Sequence, residues 1–183
     1  MYPKRRSVRL PGYDYAQPGE YFITINTHRF KSVFGTIDGE RVRLTPIGQI
    51  AREEWLKTPI LRPEIELGSF VIMPNHFHAI IHINDIEDPH VGAYGTKVRA
   101  YGHTPVQMEI DEKTPFRSPS RTVGAIVRGF KGAVTKRVNE YRGTPGATVW
   151  HRGFYEHIIC SDEEYATIAA YIEGNPMNWE DRE

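Results

Sequence analysis

The sequence predicts an α+β fold in which helices pack on one face of an antiparallel sheet. Two apolar patterns alternate along its 183 residues. Short runs rich in β-branched and aromatic residues predict strands, whereas apolar residues spaced three or four positions apart predict helices. Tight turns between successive strands favour antiparallel pairing. The length is close to the roughly 150 residues of a typical domain, so residues 1–183 are expected to form one domain.

The first half of the chain contains five predicted strands and one helix. A hairpin over 33–44 turns at an Asp-Gly pair, because glycine tolerates the positive φ of tight turns. A helix is predicted over 45–58, with a threonine that can cap it and a proline at its first position. The remaining strands cover 20–28, 64–75 and 77–84, and a tight Pro-Asn turn joins the last two.

The second half begins with a long stretch that has no regular pattern. Residues 85–120 are rich in proline and glycine, so we expect a mobile or functional loop. Helical spacing resumes at Ser120, and its apolar stripe runs from Val123 to Tyr141. A strand with an irregular start is expected over 149–160, and a capping box at 161–164 opens the last helix. The order is β, hairpin, α, β, β, loop, α, β, α. The ferredoxin-like split βαβ arrangement accommodates this order.

Charge is unevenly distributed although the net charge is zero. Residues 1–11 carry four basic side chains and no acid, and residues 1–15 are expected to form a basic arm. Residues 117–142 carry seven basic side chains and one acid, whereas residues 161–183 carry seven acids and one arginine. Two basic segments suggest a polyanionic partner such as nucleic acid. The alternative is that surface charge simply segregates between helices.

Several protein classes are excluded by composition. The single cysteine, Cys160, excludes a secreted disulfide scaffold and a zinc finger. No apolar stretch follows the basic residues at the start, so a signal peptide is not expected, and no run approaches the ~18 apolar residues of a membrane span. P-loop and dinucleotide-binding glycine motifs are absent. A soluble cytoplasmic protein is therefore expected.

The strongest local motif is MPNHFH at 73–78. Residues i and i+2 of a strand point to the same face, so His76 and His78 can direct both imidazoles at one point. Neutral imidazole is the commonest metal ligand in proteins. The alternative is two polar residues on a solvated strand face. His82 shares their parity and either joins them or faces solvent.

Tyr171 lies about 100° from the apolar stripe of the last helix, and Asn175 is one turn further on the same flank. A tyrosine beside the core can act as a nucleophile, since its hydroxyl can form a covalent ester. The alternative is that Tyr171 packs at the helix edge and Asn175 ends the helix. A third candidate, WHR–YEH at 150–157, mixes aromatic, basic and acidic side chains and by itself indicates an aromatic strand with a capped edge.

These residues also resemble a known family. The HFH motif at 76–78 has the His-hydrophobic-His form of the HUH single-strand endonucleases, and VIMPN at 71–75 is similar to the same segment of the REP-associated tyrosine transposases. The resemblance covers nearly the whole chain except 85–120, through RSVRLPGYDY (6–15), FK (130–131), VTK (134–136), WHR (150–152), YEHII (155–159) and YIEGNP (171–176).

The resemblance implies an HUH transposase in which His76 and His78 hold Mg²⁺ or Mn²⁺. Tyr171 would attack a DNA phosphate and leave a 5′-phosphotyrosine and a free 3′ hydroxyl. By similarity to the related insertion-sequence transposases, Asn175 would complete the metal site. Those relatives act as dimers with shared active sites, so the resemblance leaves a homodimer open.

Six basic residues are expected to bind the DNA, which the resemblance identifies as single strands carrying a REP-like hairpin. They are Arg5, Arg6 and Arg9 on the arm, and Arg121, Arg128 and Lys131 on one flank of the predicted helix. The resemblance thus implies a metal-dependent DNA nickase and strand transferase, associated with the bacterial nucleoid. Two alternatives are a domesticated, non-catalytic binder of DNA or RNA hairpins and a metal hydrolase that does not use Tyr171.

Overall fold

A four-stranded antiparallel sheet forms the centre of the molecule. The computed structural model describes Tyr15 and residues 17–84 and 122–179. In chain order, the elements are β1 (Gly19–Asn26), β2 (Gly35–Asp38), β3 (Arg41–Leu44), α1 (Pro46–Leu56), α2 (Thr58–Leu61), β4 (Ile65–Ile72), β5 (His76–Ile83), α3 (Val123–Arg142), β6 (Tyr155–Ile159) and α4 (Asp162–Gly174).

The strand order in the sheet is β4-β5-β1-β6, and every neighbouring pair is antiparallel. Strands β2 and β3 form a separate hairpin. Without that hairpin, the chain runs β1, α1, β4, β5, α3, β6, which in this spatial order is the ferredoxin-like split βαβ arrangement. The predicted α+β fold with an antiparallel sheet is therefore confirmed.

Helices α1 and α3 cover one face of the sheet. Trp55 of α1 and Phe130 of α3 pack around Phe77 of β5, with ring centroids 4.8 Å and 5.3 Å from the Phe77 ring. All three side chains are buried. Burial of side chains of this size contributes about 1.5–3 kcal/mol each, so this aromatic cluster is a main source of stability.

Helix α4 lies on the opposite face, which the expectation of helices on one face did not include. Ile172 of α4 forms a second apolar cluster with Ile80 of β5 and Ile159 of β6. Adjacent residues of a strand point to opposite faces of the sheet, and β5 carries buried apolar side chains on both faces. The sheet therefore has a second apolar surface, and α4 carries its own residues to it.

Several element boundaries differ from the sequence prediction. The helix expected over 45–58 ends at Leu56, and the short helix α2 follows it. The strand expected over 149–160 has the predicted irregular start, where Gly153 adopts a φ of 86°, and its regular part is β6. The tight turn between β4 and β5 is confirmed by a 2.8 Å hydrogen bond from the Met73 N–H to the His76 carbonyl.

The N-terminal arm other than Tyr15, and the expected loop over 85–120, lie outside the described residues. Of the helices that are described, none has both the length and the apolar character needed to cross a membrane.

Candidate active site

Strand β5 begins with the two histidines of the HFH motif, and the sheet places both on the face that α4 covers. His76 and His78 lie opposite Asn26 and Thr24 of β1. Phe77 between them points into the core against α1 and α3. The centroids of the two imidazole rings are 4.5 Å apart. The predicted convergence of the two imidazoles is therefore present in the fold.

The neighbour of His76 determines which of its ring nitrogens is available. Nδ1 of His76 lies 2.8 Å from Oδ1 of Asn75. A carbonyl oxygen only accepts hydrogen bonds, so Nδ1 carries the proton and donates it to Asn75. Nε2 then retains its lone pair, which is the form of histidine that ligates metals. The indole ring of Trp179 lies beside the same imidazole, with centroids 5.6 Å apart.

His78 is held between two side chains of β1. Its Nδ1 lies 2.8 Å from Oγ1 of Thr24. The ring of Phe22 stacks on the imidazole, with a centroid distance of 5.4 Å and an interplanar angle of 24°. These contacts orient the ring so that Nε2 faces α4.

Both histidines are uncharged at neutral pH. Burial lowers the pKa of His76 to about 4, although a hydrogen bond with the Asn175 side chain opposes part of this shift. Burial and the proximity of His76 lower the pKa of His78 to about 3. A pair of neutral imidazoles can offer two lone pairs to a cation without first losing protons.

Tyr171 of α4 reaches the histidine pair from above the sheet. Its hydroxyl oxygen lies 3.4 Å from Nε2 of His78. Its ring meets the ring of Phe22 edge to face at 6.3 Å, while 53% of the residue stays exposed. The next residue, Ile172, is buried against the sheet and anchors the helix. Tyr171 is thus anchored through its neighbour in the helix, while about half of its own surface stays exposed.

Asn175 lies directly after α4 and contacts the same site. Its side chain is near enough to the imidazole of His76 to oppose part of the lowering of that pKa, one helical turn after Tyr171. The residue is the C-cap, with right-handed helical φ and ψ of −58° and −40°. It therefore does not need the left-handed conformation that makes asparagine a common helix terminator.

The donors at this site fit a divalent cation such as Mg²⁺ or Mn²⁺. The site offers two imidazole nitrogens and one amide oxygen. Such ions are commonly held by a few protein ligands, with water and substrate phosphate oxygens completing six positions. Within residues 15, 17–84 and 122–179, no three His, Cys, Asp or Glu side chains converge on one point.

His82 does not join the pair, although it shares their strand and parity. Its Nδ1 lies 3.0 Å from a carboxylate oxygen of Glu20, and its ring lies beside Tyr165. Ile80 separates it from His78 along the strand. His82 therefore belongs to the opposite end of the sheet.

Only two of the six expected DNA-binding residues are described. Arg5, Arg6, Arg9 and Arg121 lie outside the described residues, and Arg128 is exposed on α3.

The ammonium of Lys131 is already engaged. It donates hydrogen bonds of 2.8 Å and 2.9 Å to the carbonyl oxygens of His151 and Gly153. Burial lowers its pKa. Lys131 therefore holds the segment before β6, and one of its three N–H groups remains for another acceptor.

Sequence reasoning gave no role at the site to four residues that surround the histidines. They are Phe22 and Thr24 on β1, Asn75 in the turn, and Trp179 after α4. Phe22 and Thr24 share the parity of a strand face, but only the pairing register of β1 with β5 brings that face to His78.

Comparison with known proteins finds a related sequence and a solved structure with a similar fold. No family model matches the chain. An uncharacterized protein from Haemophilus influenzae is 35% identical over 176 residues, which cover 96% of this chain and 90% of that protein. A solved structure of a REP-associated tyrosine transposase bound to a REP hairpin has a TM-score of 0.55 and 20% identity. That match covers 97% of this chain and 74% of the transposase chain.

Proposed function

Since this chain belongs to the family of the Haemophilus influenzae protein and has the fold of the REP-associated tyrosine transposases, we propose that it nicks and rejoins single-stranded DNA. The proposed substrate carries a hairpin, as does the REP hairpin bound to the solved transposase. Such DNA lies with the chromosome, so a cytoplasmic, nucleoid-associated location belongs to the same proposal.

One observation carries the proposal. The Tyr171 hydroxyl lies 3.4 Å from Nε2 of His78, beside the imidazole of His76. A nucleophile and two neutral metal ligands thus face one small volume. A binding protein would need only basic and aromatic surface, so this constellation favours an enzyme over a non-catalytic hairpin binder.

In the proposed reaction, the phenol oxygen of Tyr171 attacks the phosphorus of a DNA phosphodiester. A bond forms between this oxygen and phosphorus, and the bond from phosphorus to the 3′ oxygen breaks. The 3′ oxygen takes up one proton and the phenol loses one, so the exchange is balanced. An ordinary tyrosine has a pKa near ~10, so the attack requires local help.

His76, His78 and Asn175 would hold a divalent cation, which when bound supplies positive charge that polarises the phosphate. The side chains around them keep this arrangement. Asn75 and Thr24 hydrogen-bond to the Nδ1 atoms, which leaves both Nε2 atoms directed at the site. The phenol and both imidazoles of the proposed site come from one chain.

The covalent product makes the reaction a transfer rather than a hydrolysis. The 5′ end of the DNA remains attached to Tyr171 as a phosphate ester, so the energy of the broken bond is kept. A 3′ hydroxyl of another strand can then attack the ester and restore a continuous strand. A metal hydrolase that did not use Tyr171 would instead release a free 5′ phosphate.

Basic residues are proposed to hold the DNA backbone around this site. The set comprises Arg5, Arg6, Arg9, Arg121, Arg128 and Lys131. For Lys131 the contact would use the one N–H that does not donate to a backbone carbonyl.

The proposal is tested with labelled single-stranded DNA that carries hairpins of varied sequence, incubated with the protein and Mg²⁺ or Mn²⁺. Denaturing gels should reveal a metal-dependent, protease-sensitive adduct on the new 5′ end of the downstream fragment, whereas the upstream fragment ends in a free 3′ hydroxyl. Cleavage without an adduct would identify the metal hydrolase. Binding without cleavage under either metal would identify the non-catalytic hairpin binder. Tyr171→Phe is the matched control, since it lacks only the attacking oxygen.

A further inference from the structure

A basic and aromatic turn lies just beyond the end of β1 that pairs with His76. We call residues 27–31, with the sequence THRFK, the Phe30 turn. It follows Asn26, whose register partner in β5 is His76. The N–H of Thr27 bonds to the carbonyl of Asn75, 2.9 Å away, next to the histidine pair. The turn is therefore part of the same end of the sheet as the candidate active site.

The Phe30 turn holds an exposed aromatic ring on a strained backbone. Phe30 is 57% exposed, although phenylalanine is ordinarily a core residue. Arg29 and Phe30 adopt φ of 57° and 55°, and among the described residues they are the only ones other than glycine with positive φ. Each residue in this region costs roughly 1–3 kcal/mol, and such residues cluster at functional sites.

Buried hydrogen bonds maintain this unfavourable conformation. The hydroxyl of Thr27 is positioned 2.8 Å from the carbonyl oxygen of Lys31 and 2.9 Å from that of Asn75. Thr27 is fully buried. The N–H of His28 bonds to the carbonyl of Val149, next to the bridge between Thr27 and Trp150. The ring of Phe30 is consequently presented to solvent by a braced backbone.

His151 accompanies Phe30 on the side of the active site. Their ring centroids are 6.1 Å apart, with an interplanar angle of 30°. The N–H of His151 bonds to the carbonyl oxygen of Asn26, 2.8 Å away, and Asn26 lies opposite His76 in the sheet. Lys131 fixes this segment through the His151 carbonyl.

Charge around the two rings suits a polyanion. The Phe30 turn contains His28, Arg29 and Lys31, and Arg152 follows His151. Arg29, Lys31 and Arg152 are all exposed. Neither residues 27–33 nor 148–153 include an acidic residue. A single exposed ring is far smaller than the several hundred Å² of a protein-docking patch, whereas one nucleobase covers such a ring.

We propose that Phe30 and His151 form a stacking site for one unpaired nucleobase of single-stranded DNA, and that Arg29, Lys31 and Arg152 contact its flanking phosphates. The inference rests on the proposed function and names a base-binding site next to its cleavage centre. Every base has a π face, so the site is expected to tolerate base identity and to select against paired DNA.

The test separates the contribution of bases from that of phosphates. Two probes are compared: a DNA hairpin with a single-stranded thymidine tail, and the same hairpin with an abasic tail that keeps every phosphate. Affinities are measured with the full chain and without added metal, so that no cleavage occurs. The wild-type protein should bind the thymidine tail more tightly by between roughly fivefold and a hundredfold, and Phe30→Ala should lose most of this preference.

Matched variants control for folding and for general loss of binding. Tyr141→Ala removes another exposed aromatic ring, from the C-terminal end of α3, and should keep the preference. Phe30→Trp should restore it, whereas Phe30→Leu, which retains bulk without a π face, should not. The stacking site would be overturned if the wild type and Phe30→Ala preferred the thymidine tail over the abasic tail equally. It would also be overturned if the wild type bound both tails with the same affinity.

The adduct assay and this binding comparison test the two proposals separately. If the adduct forms and Phe30→Ala changes no preference, the stacking site is wrong and the proposed enzyme stands. If no adduct forms but the preference depends on Phe30, the stacking site stands and the proposed enzyme is wrong.

Discussion

The hydroxyl oxygen of Tyr171 lies 3.4 Å from Nε2 of His78, although the two residues are 93 positions apart in the chain. The contact exists because the sheet has two apolar faces, one covered by α1 and α3 and the other by α4. On the second face the apolar rows end at the histidines. Helix α4 therefore carries Tyr171 to polar side chains at one end of this apolar cluster.

Replacement of Tyr171 by phenylalanine should abolish adduct formation, by at least roughly a thousandfold, and leave DNA affinity within about twofold. The change removes only the attacking oxygen and retains the edge-to-face contact with Phe22. Tyr155→Phe, on the same face, is the control and should form the adduct normally. An adduct that persists in the Tyr171 variant and maps to Tyr155 or Tyr165 by mass spectrometry would contradict the assignment of the nucleophile.

Substitution of either active-site histidine by alanine should weaken Mn²⁺ binding by at least about a hundredfold and remove metal-dependent cleavage. Asn175→Ala should lower affinity by less than about tenfold, because water replaces an amide ligand more readily than an imidazole. His82→Ala is the matched control on the same strand face. Calorimetric titration with Mn²⁺ measures all four variants, and undiminished affinity in the double variant His76→Ala, His78→Ala would remove the metal site from the proposal.

Thr24→Val should lower Mn²⁺ affinity by about tenfold while leaving the fold intact. Valine has nearly the same shape, but it cannot make the 2.8 Å hydrogen bond with Nδ1 of His78. The exposed Thr36 of β2 offers the matched substitution Thr36→Val, which should have no effect on metal binding. Equal affinities in both variants would mean that His78 is oriented by packing against Phe22 alone.

The parts of this architecture that sequence could predict are those with a local cause. His76 and His78 share a face because strand residues alternate, and Tyr171 lies beside the apolar stripe because a helix repeats every 3.6 residues. The turn before His76 follows from a Pro-Asn pair between two apolar runs. Each of these inferences needs only neighbouring positions in the chain.

Features that depend on long-range pairing were not available from the sequence. Thr24 reaches His78 only because β1 lies next to β5 in one register, and a shift of one residue would turn its side chain away. Similarly, the spacing in α3 predicts Lys131 on a basic flank. Two N–H groups of its ammonium instead donate hydrogen bonds to carbonyl oxygens that are 20 and 22 residues away in the chain. Amphipathic spacing identifies a helix face and does not say what packs against it.

Arg137→Met should lower the free energy of unfolding at pH 7 by about 1 kcal/mol. Arg137 of α3 binds two carboxylates of α1, at 2.7 Å from Glu53 and 2.8 Å from Glu54. Burial raises the pKa of Glu54, but hydrogen bonds from Lys57 and Arg137 outweigh this and lower it below its usual value. A lowered pKa in the folded state stabilises the protein above the unfolded value near 4.5 and loses this effect as pH falls through the folded pKa.

The difference between wild type and Arg137→Met should therefore shrink when urea unfolding is measured at pH 3 instead of pH 7. Lys136→Met, one position earlier, removes a charge from an exposed and weakly paired site and serves as the control. A difference that is the same at both pH values would show that Arg137 acts through packing and not through Glu54.

The salt dependence of DNA binding should distinguish Arg128 from Lys131, two basic residues of the same helix. Log affinity for single strands falls with log salt by about 0.7 for each phosphate contact, since each contact releases counterions. Arg128 is exposed, so Arg128→Ala should flatten the slope by about 0.7, and the triple variant Arg5→Ala, Arg6→Ala, Arg9→Ala by up to about 2.

Lys131→Met should change the slope less and lower the stability of the fold more, because two of its N–H groups support the carbonyls of His151 and Gly153. A slope change for Lys131→Met equal to that of Arg128→Ala would show that its third N–H takes a full phosphate contact. An unchanged slope in the arm variant would show that those arginines remain solvated when DNA binds.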